Sequence, residues 1–252
     1  MSKFAKSLER VYRGVAPAIG FRRSAGADLP PLLLVVNLTG ANVREAKAIA
    51  ACADAGIVSG RNLDSSHWGQ MAAALGDSPL GLSLDGQDKA DWSAVPGCDF
   101  VVFDLKAPVE TVEKKEPGKI LRVETSLEPG LVKAINELPL AVNGVLISGE
   151  QPRVTVEFLL VCQRFAGLMD RPLMVSLNAM VTGGELRSLY EAGVNCLVLP
   201  GALRAERLAE LKSEIASLPR IIERKTRSSV LLPRPSGGPG VEVEEEEEEE
   251  DV

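Results

Sequence analysis

The chain holds a single histidine in 252 residues, and only 4% of it is aromatic. One imidazole argues against a histidine-rich metal centre and against most hydrolytic triads, which leaves carboxylate and lysine chemistry open. The four cysteines, Cys52, Cys98, Cys162 and Cys196, lack the spacing of a metal knuckle, a redox pair or a disulfide framework, so a reducing, cytoplasmic compartment is expected. No window approaches the roughly eighteen continuous apolar residues that a membrane span needs, and the start of the chain lacks the apolar region and cleavage site of a signal peptide. A basic excess is missing too: 28 Lys and Arg face 35 Asp and Glu. With so few aromatics to interleave, nucleic-acid binding is disfavoured.

What remains is ordinary globular material, 45% hydrophobic, enough to bury a sizeable core. The net charge of −7 belongs mostly to one end, since Glu242, the run from Glu244 to Glu250 and Asp251 supply nine of the 35 acids. Such a segment repels itself and has almost nothing apolar to bury, so residues 221–252 are predicted to be a disordered linker and acidic tail. The tail is a candidate contact for a basic partner, or for the basic flank of its own chain. At the other end Phe4, Leu8, Val11, Tyr12 and Val15 recur at helical spacing among Lys3, Lys6, Arg10 and Arg13. Residues 1–24 therefore read as an amphipathic helix and lead-in that pack on the main domain, residues 25–220.

That domain has a rhythm. "PLLLVVN" is an apolar run of strand length, and "VREAKAIAACADAG" after it carries the spacing of a buried helix face ended by glycine. Seven further strand-and-helix units follow, down to "NCLVLPG" with "AERLAELKSEIASL", including a short helix over "DKADWSAV" between strands 3 and 4. Apolar strands alternating with helices imply parallel pairing through helical crossovers. The first strand–helix turn, "VVNLTGANVRE", lacks the G-x-G-x-x-G of a dinucleotide-binding open sheet. Eight units in about 200 residues predict a single closed (β/α)8 TIM-like barrel.

In such a barrel alternate strand residues point to the lumen or to the helices. Leu80, Leu82 and Leu84 should face the helices, as should Val101, Phe103 and Leu105, which turns Gly81, Ser83, Asp85, Val102, Asp104 and Lys106 inward or to the mouth. Arg122 and Glu124 share one parity on strand 5, Leu146, Ser148 and Glu150 on strand 6, and Met174, Ser176 and Asn178 on strand 7, while strand 1 ends at Asn37. The polar members gather at the C-terminal strand ends, where barrel enzymes assemble their sites. Charges there are either a structural network, Asp104 with Arg122 and Lys106 with Glu124, or groups that shift one another's pKa for acid–base work. Lys106 is the candidate base or Schiff-base nucleophile, with Asp104 and Glu124 as its acid–base partners. Asn37, Asp85, Arg122, Ser148, Glu150 and Asn178 are candidates for substrate binding. "DSSHWGQ" reads as a helix start capped by Ser65 or Ser66, with His67, Arg61 and Asp64 as further contacts at the mouth.

Two resemblances add to this. "DLK" in strand 4 resembles the D-x-K element of the orotidine-phosphate decarboxylase group, with Val109 where its D-x-K-x-x-D pattern has a second aspartate. "NAMVTGGELRSLYEAGVNCLVLPGALRAERL" resembles the seventh strand through the eighth helix of the phosphate-binding TIM-barrel superfamily, over about thirty residues. That resemblance implies a phosphate cup of backbone N–H groups at Gly201 and Ala202, with Gly183 and Gly184 displaced onto the helix start. The end of strand 7, where the family carries a glycine pair, has Asn178, Ala179 and Met180. The function this implies is a lyase or isomerase acting on a small phosphorylated or anionic metabolite. The alternatives are an FMN-binding oxidoreductase using the same cup, or a barrel without catalysis that serves binding or assembly. No spacing identifies a metal, although Mg²⁺ would suit the carboxylates of Asp85, Asp104, Glu124 and Glu150.

Overall fold

The computed structural model describes residues 2–14, 30–61, 63–85, 95–113, 117–149 and 153–219. Glu150, the linker and the acidic tail lie outside the described residues. The strands are β1 (Leu33–Asn37), β2 (Ala55–Ser59), β3 (Leu80–Ser83), β4 (Phe100–Asp104), β5 (Gly118–Val123), β6 (Gly144–Gly149), β7 (Leu173–Leu177) and β8 (Val194–Pro200). Each pairs in parallel with the next, and β8 closes on β1 from Leu33 opposite Cys196 to Asn37 opposite Pro200, so the sheet is a closed eight-stranded barrel.

The helices are α1 (Lys3–Arg13), α2 (Val43–Ala50), α3 (Ser65–Leu75), α4 (Val109–Val112), α5 (Pro129–Ala134), α6 (Val156–Leu168), α7 (Gly183–Glu191) and α8 (Ala205–Ser217). The helix predicted between β3 and β4 falls almost wholly on residues outside the description. At α3 the cap differs from expectation: Asp64, not a serine, accepts the N–H of His67 at 2.6 Å. A carboxylate one residue earlier in the chain reaches the orphan donor and interacts better with the helix dipole.

Strand parity divides the apolar residues as alternation requires. Leu80, Leu82, Leu84, Val101 and Phe103 are buried in the layer between sheet and helices. Val35, Ile57, Val102, Ile120, Leu146, Met174 and Val198 form a separate cluster in the lumen. Leu105 departs from its predicted place under the helices and is 58% exposed, because β4 and its alternation end at Asp104.

The lumen cluster also contains Phe4, Leu8 and Val11 of α1. The N-terminal helix thus plugs the N-terminal end of the barrel. Phe4 stacks on Phe100 with ring centroids 4.3 Å apart, and Gly81 makes room for that ring, since a Cβ there would lie 2.4 Å from it. Gly118 and Gly144 do the same for the helix itself: a Cβ on either would meet Ser2 at 2.8 Å or Leu8 at 2.9 Å.

Polar side chains hold this end together in a repeating way. Asp54, just before β2, accepts the N–H of Leu34 in β1; Asn143, before β6, accepts that of Lys119 in β5; Asn195, in β8, accepts that of Leu173 in β7. Asp99 stands at the matching place before β4, and its N–H donates to Leu80 as that of Asp54 donates to Leu34. Its carboxylate instead takes the start of α1, accepting from Ser2 Oγ at 2.7 Å, Lys3 N at 2.7 Å and Phe4 N at 2.9 Å. A carboxylate on the first N–H groups of a helix satisfies orphan donors and the dipole together. Asp99→Ala is therefore expected to cost about 2–3 kcal/mol, read by urea denaturation, with Asp99→Asn intermediate.

Candidate functional site

Above the apolar cluster the lumen turns polar. Continuing each strand's inward parity toward its C-terminal end brings Asn37, Ser59, Ser83, Asp104, Arg122, Ser148 and Ser176 to the mouth. Hydroxyls dominate this layer, and Arg122 is its one guanidinium.

Arg122 is held from one side. Its Nη2 donates to Asp85 Oδ1 at 2.7 Å and to the Leu84 carbonyl at 2.9 Å, and lies 3.8 Å from Asp104 Oδ2. Arg61 stands at the outer side of the same aspartate, 3.9 Å from Asp85 Oδ2. Among the described residues Nη1 reaches only Ser83 Oγ, at 3.5 Å. An arginine offers five N–H donors, so a guanidinium pinned along one edge keeps capacity along the other for an oxyanion. The cluster of aspartates and arginines is shared among the C-terminal ends of β2, β3, β4 and β5, which is why no local motif announces it.

The remaining sequence candidates spread over the rim. Lys106 is exposed on the turn after β4, where its backbone N–H donates to Asp104 Oδ1 at 2.9 Å. Glu124 is exposed beyond the end of β5 and accepts from Ser126 Oγ at 3.3 Å. Of the two expected ion pairs, Asp104 with Arg122 forms, whereas none joins Lys106 to Glu124. The lysine that burial pulls below its ordinary pKa is Lys119, at the opposite, N-terminal end of β5. Ser148 and Asn178 are exposed at their strand ends, and Asn37 Oδ1 accepts the N–H of Thr39 to close the turn after β1. Burial pushes the Cys162 thiol up to about 12, which leaves it unfit as a nucleophile. Among the described residues no group of three or more His, Cys, Asp or Glu is placed to hold a metal ion.

The two halves of the expected phosphate cup differ in their caps. Gly183 and Gly184 open α7, whose cap Thr182 forms a reciprocal box with Glu185. The Glu185 carboxylate accepts from Thr182 N at 2.8 Å and from Val154 N at 3.1 Å. The Thr182 N–H is the main group holding that carboxyl below the usual glutamate range. Glu214 adds a second carboxylate, with Oε2 3.4 Å from where a Gly183 side chain would begin. An anion at this helix start meets two negative charges.

At α8 the cap residue is Arg204, which makes no side-chain cap hydrogen bond, and the first turn carries Glu206. Gly201 lets the preceding turn pass against β1, since a Cβ there would lie 2.4 Å from the Asn37 carbonyl oxygen. Beside this turn is a cavity of about 430 Å³ lined by Thr39, Gly40, Ala41, Glu45, Ala48, Ile49 and Gly201 through Ala205. The sequence singles out Gly201 and Ala202 of this turn, and passes over its neighbour Arg204 and the lumen residue Ser59. "ALRAERL" does display the arginine ahead of the helix, whereas Ser59 in "GIVSG" gives no signal until the strand parity is known.

The fold is a TIM barrel, with the polar layer on the face where such barrels carry their sites. No family model matches the chain, and no curated protein matches it. Among solved structures it is similar to phosphoribosyl anthranilate isomerase from Thermus thermophilus, at a TM-score of 0.58 and 14% identity over 75% of this chain and all of that one. Orotidine 5′-phosphate decarboxylase from Pyrococcus horikoshii matches at 0.56 and 16% over 74% of this chain and all of that one. A chain of Mycobacterium tuberculosis tryptophan synthase matches at 0.56 and 14% over 85% and 97%. At such identities the likeness is one of fold.

Proposed function

We propose that this barrel is an enzyme of the lyase or isomerase type acting on a small phosphorylated or otherwise anionic metabolite at its C-terminal mouth. The observation that carries the reading is Arg122, fixed inside a hydroxyl-lined mouth through Nη2 by Asp85 and the Leu84 carbonyl, while Nη1 makes only a long 3.5 Å contact to Ser83 Oγ among the described residues. The names of the similar structures, a phosphoribosyl isomerase and a phosphate-ester decarboxylase among them, support the same substrate class. In this reading Arg122 holds an anionic group of the substrate. The amides at Gly201 and Ala202 and the start of α8, helped by Arg204, take the phosphate; at the α7 start Thr182 and Glu185 already cap the first turn. Asp104, Lys106 and Glu124 supply proton transfer from the rim, and Asn37, Ser148, Glu150 and Asn178 contact the polar body of the substrate. A TIM barrel serves many chemistries, so the site and not the fold has to carry this reading.

The test is a thermal-melt series with inorganic phosphate, sugar phosphates and FMN. A ligand at about 100 times its Kd stabilises by roughly 2.7 kcal/mol, which for a domain of this size raises the midpoint by roughly 5–10 °C. The shift should vanish in Arg204→Glu. Gly201 is unsuitable for this purpose, because any side chain there collides with the β1 backbone and would disturb the fold itself. Absence of a shift with every phosphorylated ligand would overturn the phosphate reading, and a shift with FMN alone would favour an oxidoreductase.

A further inference from the structure

The face of α1 that is turned away from the barrel is a basic stripe. Lys3, Lys6, Arg10 and Arg13 are all exposed and, at about 100° per residue, fall within one narrow arc opposite Phe4, Leu8 and Val11. Glu9 pairs with Arg13. Lys3, Lys6 and Arg10 form no ion pair with any other described residue. The helix bearing them is fixed by the lumen cluster and by Asp99, so the charges are already arranged, and a binding partner need not order them.

The described chain ends at the same end of the barrel. In α8, Lys212 reaches 3.3 Å from Asp54, whose other oxygen accepts the N–H of Leu34 at the start of β1. The last turn of α8 therefore lies at the N-terminal end of the barrel, the end that α1 plugs. Pro219 closes the described part, and 22 residues separate it from a stretch, 242–251, in which every residue but Val243 is acidic. A spacer of that length spans up to about 70 Å when extended, several times the roughly 16 Å length of α1.

We propose that the acidic stretch Glu242–Asp251 docks on the basic face of α1, covering Lys3, Lys6 and Arg10 within the same molecule. Tethering keeps the tail at high effective concentration beside that face, ahead of acidic partners in solution or anionic lipid. The docked tail makes α1 unavailable to such partners. It also adds a salt-sensitive restraint to the plug, because exposed charge pairs are screened within about 10 Å at 0.1 M salt.

Zero-length carbodiimide cross-linking of the full chain at low salt, followed by peptide mass spectrometry, tests this. Cross-links from Lys3 and Lys6 to glutamates of 242–251 are expected. They should stay within one chain when ¹⁴N- and ¹⁵N-labelled protein are mixed, and fall at least tenfold at about 0.5 M NaCl, where screening is nearly complete. In Arg10→Glu/Arg13→Glu, which keeps both reactive amines and the buried face, they should fall several-fold. Tail cross-links to Lys225 or to other lysines in place of Lys3 and Lys6, cross-links between differently labelled chains, or none at all would each overturn the proposal. So would salt-sensitive retention of the intact chain on vesicles of anionic phospholipid.

Discussion

Phe4→Ala is expected to destabilise the whole barrel by about 3–5 kcal/mol, as large-to-small changes of aromatic residues do in a packed interior. The residue is 1% exposed and stacks on Phe100 inside the lumen. Gly81 lies against the Phe100 ring, on which Phe4 is stacked. For a domain near 200 residues the melting midpoint should drop by roughly 10 °C or more. A helix lying on the outside of the barrel would give a different result, because its removal would not hollow the core. A measured loss under about 1 kcal/mol would therefore contradict the plug. Calorimetry with urea denaturation separates the cases, and Leu8→Ala should repeat the effect at about 2–5 kcal/mol.

The second large effect concerns the mouth. Arg122→Ala should abolish ligand-dependent stabilisation and lower affinity for an anionic substrate at least a hundredfold, about 2.7 kcal/mol, within the range for losing one partner of a charge-assisted contact. Its cost to folding should be smaller. Asp85 and Asp104 lose the Arg122 guanidinium, but Arg61 stays 3.9 Å from Asp85, and the two side chains are 35% and 25% exposed and reached by water, so about 1–2 kcal/mol is expected. Arg122→Lys keeps the charge and loses the fork, and should recover little of the affinity. Retention of ligand response in Arg122→Ala, measured by the same melts, would show that the guanidinium is a structural tie between β3 and β5.

The strand pattern was open to reading because apolar residues on the helix-facing parity had to be continuous around the barrel, and "LGLSL" and "FVVFD" display that parity directly. Polar residues on the other parity, Asp104 and Arg122 among them, then had one place to go. What the pattern could not give was register. Asp85 meets Arg122 through the alignment of three neighbouring strands, and the side-chain caps from Asp54, Asn143 and Asn195 depend on which residue stands beside the first N–H of the previous strand. Amphipathic spacing likewise revealed that α1 has an apolar face without saying what covers it. Lys106 was set apart by its place after an inward aspartate, yet the strand ends before it, and alternation says nothing about a turn.

The plugged end gives the lumen a single doorway. Whatever enters past Arg61 and Arg122 has to leave by the same route, since the floor beneath the polar layer is a helix packed on aliphatic and aromatic side chains. For the proposed enzyme, substrate and product would share that doorway, so a second substrate enters only after the product has cleared the mouth.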